Sequence, residues 1–597
     1  MKLSKIYSNK VKEFPPIIFN EGFNVIYAEV TKPKDKSKDS HNLGKTLLIH
    51  LLDFMLLKNL NKGHFIYDNK SRFIDFSFYL EIALNSGQYL TVRRDVCDAS
   101  KIWIHEHSEP EQDFSSLADD DWCHKNLGLK KGKEKLNQLL RLSAISPWHF
   151  RKGCGYFLRT QSDYQDVFKL AKFSSGRHKE WKPYLAKLLG FNDELISRKY
   201  ELDDKETELL QSRQLSRDLT SVDTTEYDRV KGTLEIKRSE LKEAAGEVER
   251  FNFYKSDLEL NSELLEKFEK EIVVLNDRRY TVGFELEKIK ESIQTKTTFD
   301  IDKVSQLFKE AGALFPDTVK RSYEELLNFN KRISDERSAR LTEQRQRLLD
   351  EQKTVNQDLS NLNRRREELL SVLQDTDTLN KYRRIQRNLT ELEASIAKLE
   401  VELEQLDKVA EIDKKVQAVV NQRASVVDEI QKAVNTGNDR YSSVRTEFNR
   451  IVKRIMKVPA VLSISLNKEG NLEFEASLLN NDRQLVPTSE DKGNSYRQLL
   501  CSAFDLSLLS EYSGSSFYRF VYHDGVLESL DERKKIQLLD VVRELCANKG
   551  IQYIMTLIDA DIPRDETDKR IPFQEGEIIR RLHDGSDEGR LFRMGKF

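Results

Sequence analysis

The stretch Tyr382-Arg-Arg-Ile385-Gln-Arg-Asn-Leu389-Thr-Glu-Leu392-Glu-Ala-Ser-Ile396-Ala-Lys-Leu399-Glu-Val-Glu-Leu403-Glu-Gln-Leu406 decides how this chain is organised. From Ile385 onward its apolar residues alternate steps of four and three, with charged and amide residues between. That is the heptad period of a coiled coil, in which an apolar seam faces a partner helix. Upstream, Val282, Leu286, Ile289 and Ile293 repeat the pattern, and Leu258, Leu265 and Ile272 stand a full heptad apart. Between Pro183 and Pro459 the only proline is Pro316. Proline removes a helix donor and clashes with the preceding turn, so a span this poor in it can stay helical.

Pro316 closes the segment Gly312-Ala-Leu-Phe-Pro316 near the middle of that span. The reading is a hairpin: an outgoing arm at 196–296, an apex turn at 297–325 and a returning arm at 326–450. Arms of about 95 residues at ~1.5 Å each would reach ~140 Å. A break in the returning arm is expected near Asp375-Thr-Asp-Thr378. A returning rod brings its flanks, 1–195 and 451–597, together, and those flanks carry the chemistry.

Composition bounds the function without naming it. Lys+Arg number 98 against Asp+Glu 100 in 597 residues, so any basic surface must be local. Arg364-Arg-Arg366 and Arg383-Arg384 with Arg387 are local candidates, though each taken alone reads first as a solvated helix face. Cys97, Cys123, Cys154, Cys501 and Cys546 lie far apart, with neither metal-ligand spacing nor a disulfide framework. A cytoplasmic protein is expected, with no membrane partner: the opening Met1-Lys-Leu-Ser-Lys has no signal-peptide core, and the apolar run Leu47–Leu57 is too short to span a bilayer.

In the first flank, strands are expected at Lys2–Ser8 and 17–30, followed by a polar loop, then Asn42-Leu-Gly44-Lys45-Thr46 and an apolar helix. Strand, loop, Gly-Lys-Thr, helix is the context of a phosphate-binding loop. Helix-start N–H groups and the helix dipole favour the anion; Lys45 would reach the β- and γ-phosphates and Thr46 would meet Mg²⁺. The loop is degenerate, with Asp39 where the full pattern has its first Gly, and Asn42 where a second is common. Asn is among the few residues other than Gly that visit left-handed backbone geometry. A hairpin is expected around Asn85-Ser-Gly87, a third strand at 102–105, a helix at 133–142, and a polar loop at Arg159-Thr-Gln161-Ser-Asp-Tyr.

In the second flank, Val461–Leu466 and Asn471–Leu479 read as a hairpin, and Gly493 opens a helix through Leu509. The apolar strand Phe517-Tyr-Arg-Phe-Val-Tyr-His-Asp524 ends in a carboxylate, the usual way a Mg²⁺–nucleotide site acquires one. Asp531, a helix at 532–547 and a strand at 551–556 follow, and Ile578–Leu582 with Arg590–Met594 reads as a closing hairpin.

The order of these parts, and the stretches His41-Asn-Leu-Gly-Lys-Thr, Arg159-Thr-Gln-Ser-Asp-Tyr, Ala313-Leu-Phe-Pro316 with Arg337-Ser-Ala-Arg340, and Tyr522-His-Asp-Gly, resemble the SMC/RecN/SbcC-type ABC ATPases. The resemblance is closest to the short SMC-like ATPases of bacterial defence operons, of Lamassu or ABC three-component type. It implies an α/β ABC-type head, formed by both flanks, with a long antiparallel α-helical coiled coil inserted. It implies ATP and Mg²⁺ as cofactors and a homodimer through the heads that sandwiches two ATP molecules. Carried over, Gln161 watches the metal and γ-phosphate; Gly493 and Ser489 approach the partner's ATP, as Ser495 also could; Asp531 sits in the loop crossing the interface. Further implied partners are double-stranded DNA, an effector subunit of possible nuclease type and a small accessory subunit. The DNA surface would combine Lys130, Lys131, Lys133, Arg177, His178, Lys179 and Lys182 with the inner arms.

The chain also departs from that pattern. The Leu-Ser-Gly-Gly string is absent, Gly525 stands where the water-polarising Glu is usual, and no His follows the 551–556 strand. Glu528 would substitute as base, or is a surface-helix residue. The departures predict ATP binding with slow hydrolysis. The apex lacks Cys-x-x-Cys, which excludes a zinc hook; Phe308, Leu314 and Phe315 would join arm tips or pack the turn. A housekeeping RecN/SbcC-like DNA-repair ATPase and a non-enzymatic coiled-coil scaffold stay open as alternatives.

Overall fold

The computed structural model describes residues 1–29, 43–171, 178–218, 226–250, 259–294, 317–371, 376–479, 494–528, 530–564, 569–574, 576–595 and 597. Asn42, Ser489, Gly493, Arg177 and the apex residues 297–316 therefore lie outside the described residues. The chain divides into two compact units, one of residues 1–200 and 425–597, the other of residues 201–424.

Two sheets organise the first unit. One is antiparallel: β1 (Lys2–Ser8), β2 (Ile17–Ile18), β4 (Ser77–Ala83), β5 (Tyr89–Asp95), β6 (Lys101–His107) and β7 (His124–Gly128), in the order β2-β1-β4-β5-β6-β7. The other is parallel throughout: β3 (Phe23–Glu29), β8 (Leu158–Arg159), β11 (Phe520–His523), β12 (Gln552–Ile558) and β13 (Ile578–His583), in the order β13-β3-β12-β11-β8. β3 and β12 are buried along nearly their whole length, as strands covered on both faces must be. The two flanks interleave in this sheet, since β3 and β8 come from the first and β11, β12 and β13 from the second. Gln552 stitches the sheets together: its buried side chain bonds both the Leu3 N–H (2.8 Å) and the Leu3 carbonyl (2.7 Å). A separate hairpin joins β9 (Ala460–Leu466) to β10 (Leu472–Leu478).

Three expectations need correction. Ile578–His583 pairs parallel with β3, and Arg590–Met594 forms no strand, so the closing hairpin does not exist. A lone strand can satisfy its backbone on any exposed edge, and local pattern does not say which. Second, the returning arm does not run to residue 450. Its helix, Thr376–Thr436, stops at Gly437 (φ 69°), and Asn438 caps a new helix, Asp439–Met456, by accepting from Tyr441 N at 2.8 Å. That helix buries Val444, Phe448, Ile451 and Val452 and belongs to the first unit. Third, helix already runs from Asp317, inside the span assigned to the apex turn.

The second unit is helical. The helices Asp193–Asp218, Tyr227–Arg250 and Glu259–Gln294 lead out, and Asp317–Ser371 and Thr376–Thr436 return. Cross-helix pairs fix the direction: Asp203 with Arg423 (2.7 Å), Arg213 with Asp413 (2.6 Å), Arg238 with Glu400 (2.6 Å) and Arg278 with Glu351 (2.5 Å). As one partner's number rises the other's falls, so the arms are antiparallel. Heptad residues form the seam: Ile272 packs with Val355 and Leu359, and Val282 and Ile289 with Leu348. Among the described residues no helix is long and apolar enough to cross a membrane.

Candidate functional site

In an open parallel sheet every strand's carboxyl end lies on one edge, and ligands bind in the crevice outside that edge. Here that edge collects the first-flank and second-flank motifs. Gly44 caps the Lys45–Met55 helix in left-handed geometry (φ 98°, ψ 13°). A side chain there is excluded twice, by the backbone and by space, since a Cβ would lie 2.7 Å from Leu591 Cβ. Asp524 follows directly on β11, and Gln161 follows closely on β8.

Thr46 and Asp524, 478 residues apart in sequence, touch: the Thr46 hydroxyl donates to Asp524 Oδ2 at 2.8 Å. The other carboxylate oxygen, Oδ1, accepts from the Thr556 hydroxyl at 2.5 Å, and that hydroxyl accepts from the Gly525 N–H at 2.9 Å. Asp524 and Thr556 are both 1% exposed and Lys45 is 7% exposed. Tyr522 reaches the Lys45 carbonyl with its hydroxyl at 3.4 Å, tying strand to helix start. Two oxygens of hard character, one a carboxylate, thus face each other where a helix begins. That donor set suits Mg²⁺, which takes one or two carboxylates together with phosphate and water oxygens.

The residues after Asp524 are arranged unusually. Gly525 has φ 67°, and a Cβ there would stand 2.6 Å from Gln161 Nε2 and 2.8 Å from Glu528 Oε1. The Gln161 amide donates to Glu528 Oε1 at 2.8 Å. Glu528 therefore lies in a turn, not on a surface helix, and its carboxylate fills the room that a side chain at 525 would occupy. Asp531 caps the Glu532–Lys549 helix, accepting from Lys534 N at 3.0 Å and pairing with Lys534 Nζ at 2.7 Å.

Behind this edge runs a buried polar chain that sequence reading missed. Arg159 forks onto Asp505 through Nε (2.7 Å) and Nη2 (2.8 Å), both residues fully buried. Asp505 also accepts from His523 Nε2 (3.1 Å), and His523 Nδ1 meets the Tyr553 hydroxyl (2.8 Å). Burial lowers the His523 pKa and raises that of Tyr553. The neutral imidazole accepts from Tyr553 and donates to the carboxylate. Arg159 further donates to the carbonyls of Asp163, Asp166 and Val167. The loop carrying Gln161 is thereby pinned to the Asn494–Glu511 helix that follows Gly493. Gln498, on the same helix, donates to the Gly525 carbonyl at 2.5 Å. An Arg within β8 and an Asp in a long helix carry no spacing signal; only a charged residue in an apolar helix stretch hinted at Asp505.

One residue of the expected DNA surface is misassigned. Lys182 is 1% exposed and spends its ammonium on the Leu472 carbonyl and Glu473, so it cannot meet a phosphate backbone. Among the described residues no cluster of three or more His, Cys, Asp or Glu side chains could hold a metal.

Residues 451–596 match the model of a family described as DUF2326, "Uncharacterised protein conserved in bacteria". No curated protein matches the chain. Among solved structures, the chain is similar to the Smc head domain with a coiled coil and joint from Pyrococcus yayanosii (14% identity, 93% of this chain and 92% of that one, TM-score 0.32). It is likewise similar to the Smc head domain with an extended coiled coil bound to the C-terminal domain of ScpA from Pyrococcus furiosus (11% identity, 94% and 90%, TM-score 0.33).

Proposed function

We propose that this chain is an SMC-like ATPase subunit of a bacterial anti-phage or anti-plasmid defence complex, a switch driven by MgATP. One observation carries the nucleotide part: the 2.8 Å contact between Thr46 and Asp524 across 478 residues of sequence. A hydroxyl at a helix start and a carboxylate at a strand end meet there as a Mg²⁺–triphosphate requires. Thr46 and Asp524 hold the magnesium, which offsets negative charge on the phosphates. Lys45 binds the β- and γ-phosphates, and the N–H groups at the helix start hold their oxygens. Gln161 and Glu528 orient the attacking water, with Glu528 accepting its proton as general base. Glu528 reaches in from three residues beyond the usual position, so proton transfer is slow while binding stays tight.

Two heads close over the nucleotide, with Ser489 and Gly493 of one head facing the triphosphate of the other and Asp531 at the interface. A slow ATPase suffices as a switch, because ATP that binds the closed dimer better shifts the population toward it. Double-stranded DNA sensing by head and arms, and control of an effector with a small accessory subunit, rest on the motif resemblance.

The test is equilibrium MgATP binding by purified wild type and Lys45→Ala. Loss of binding in the variant supports the reading; equal binding overturns it. Glu528→Gln should abolish turnover and keep ATP bound, and unchanged turnover removes Glu528 from the chemistry. For the defence role, deleting the gene in its host should raise phage or plasmid survival.

A further inference from the structure

We propose that the surface where residues 9–13, 67–75 and 593–597 meet docks an acidic segment of a partner protein, with Val11, Ile74 and Phe597 taking its apolar side chains and Lys12, Lys70 and Arg593 its carboxylates. None of these six residues is assigned to the nucleotide, so the inference does not depend on that reading.

The first unit leaves five large apolar side chains exposed among the described residues: Val11, Ile18, Tyr67, Ile74 and Phe597. One exposed apolar residue standing alone needs no explanation, whereas a group of them marks a contact surface. Four of the five are drawn together by their neighbours' contacts. The turn after β1 is tied to the stretch before β4. Lys10 pairs with Asp75 at 3.3 Å, the Asn9 amide donates to the Asp75 carbonyl at 2.9 Å, and Asn9 Oδ1 accepts from Ser77 N at 2.9 Å. Val11 and Ile74 are the chain neighbours of that ion pair. The last stretch closes the group. Arg593 N donates to the Glu13 carbonyl at 2.7 Å, Arg72 Nη1 donates to the Gly595 carbonyl at 3.2 Å, and the Phe597 ring lies 5.1 Å from that of Phe73. Phe65, in the same short helix as Tyr67, has its ring 6.3 Å from Phe597. Beneath lie the buried rings of Phe73, Phe76 and Phe592, in mutual contact. The surface is therefore fixed before a partner arrives, and docking orders little.

Charge says what the surface takes. The three stretches carry Lys10, Lys12, Lys70, Arg72, Arg593 and Lys596 against Glu13, Asp68 and Asp75, in a chain whose net charge is -2. Lys10 already neutralises Asp75, and the Asp68 carboxylate accepts from Gly63 N at 3.1 Å. Lys12, Lys70 and the Arg593 guanidinium have no acidic partner among the described residues. Unpaired cations around exposed apolar side chains complement an acidic segment that carries large apolar residues of its own. A phosphate backbone would satisfy the cations and leave the apolar side chains unmatched. An anionic bilayer would meet Glu13, Asp68 and Asp75 along with the cations, whereas a protein segment places its charges one at a time.

The experiment is an anisotropy titration of the full chain, without nucleotide, against a labelled peptide built of Leu, Phe, Glu and Asp and against its counterpart with Lys in place of every acid. The acidic peptide should bind and the lysine peptide should not. Raising salt from ~0.1 M to ~1 M should weaken binding, as the screening length falls from ~10 Å to ~3 Å. Ile74→Asp, and Lys70→Glu combined with Arg593→Glu, should each weaken the acidic peptide about tenfold or more. These positions are exposed, and an unchanged urea transition followed by tryptophan fluorescence shows that the variants fold. The charge-reversed double variant should gain the lysine peptide. Equal binding of the two peptides, binding of neither, or an Ile74→Asp that binds the acidic peptide as wild type does overturns the inference. So does binding of phosphatidylglycerol vesicles or duplex DNA that Ile74→Asp abolishes while the acidic peptide stays unbound, which assigns the surface to lipid or nucleic acid. Lys45→Ala should bind the acidic peptide as wild type does, so this inference and the nucleotide reading stand or fall separately.

Discussion

Replacing Asp505 with Leu tests the buried chain that frames the site. Arg159 and Asp505 are both 0% exposed, and Asp505 takes two guanidinium bonds at 2.7 and 2.8 Å and one from His523 at 3.1 Å. Breaking a buried pair by removing one partner costs ~3–5 kcal/mol, because a charge is left uncompensated. The Asp163, Asp166 and Val167 carbonyls still accept from Nη1 and Nη2, but Arg159 Nε and His523 Nε2 lose their acceptor along with the charge balance. The cost should therefore lie within that range, at ~3–5 kcal/mol. All four tryptophans, Trp103, Trp122, Trp148 and Trp181, belong to the first unit, so urea denaturation followed by tryptophan fluorescence reads that unit alone. The double variant Arg159→Met with Asp505→Leu removes both charges and should return to within ~1.5 kcal/mol of wild type, as apolar replacement of a buried pair commonly does. A double variant no more stable than Asp505→Leu, or a single variant costing under ~1 kcal/mol, refutes the charge argument.

Gly44→Ala should abolish nucleotide binding and lower stability, since φ 98° and Leu591 Cβ at 2.7 Å both reject a side chain; a variant that binds MgATP normally would show the turn is not used. Thr556→Val leaves Asp524 Oδ1 and the Gly525 N–H without their partner, for ~1–3 kcal/mol in the same urea assay and weaker Mg²⁺-dependent binding. Burial lowers the pKa values of His50, His64, His149 and His523, that of His64 to about 4. The unfolded chain, with imidazoles near ~6.5, binds more protons in between, so stability is full above that pH and declines as pH falls from ~6.5 toward ~4. A melting temperature that is flat from pH 7 to 4.5 would contradict this. On the arms, Leu359→Ala opens the seam around Ile272 and Val355 at ~2–5 kcal/mol; protease cutting of the arm should speed up while the tryptophan-reported transition stays put.

Much of the local structure was legible. β1 spans Lys2–Ser8 as its apolar alternation suggests, and the helices of the arms follow the heptads. The strand before Asp524 and the helix after Thr46 were marked by apolar runs with polar ends. Other features were not. Gly437 and Asn438 interrupt a charged helical pattern that otherwise runs on without proline, so an arm drawn to residue 450 crosses the boundary at Asp439. Thr556 sits within a strand, where a hydroxyl is ordinary, and only its distance to Asp524 gives it a role.

Sequence alone determined element type: heptads make paired helices, continuous apolar runs make covered strands, and a Gly-Lys-Thr after a strand and loop starts a helix. It also named both halves of the candidate metal site, Thr46 and Asp524. Only the tertiary structure decided sheet order, the parallel seat of Ile578–His583 beside β3 and the Arg159–Asp505–His523 chain. The reason is physical. Periodicity is a property of neighbouring residues, whereas a strand's partner and a buried charge's counterpart are chosen by free-energy differences among pairings hundreds of residues apart, which no local window contains.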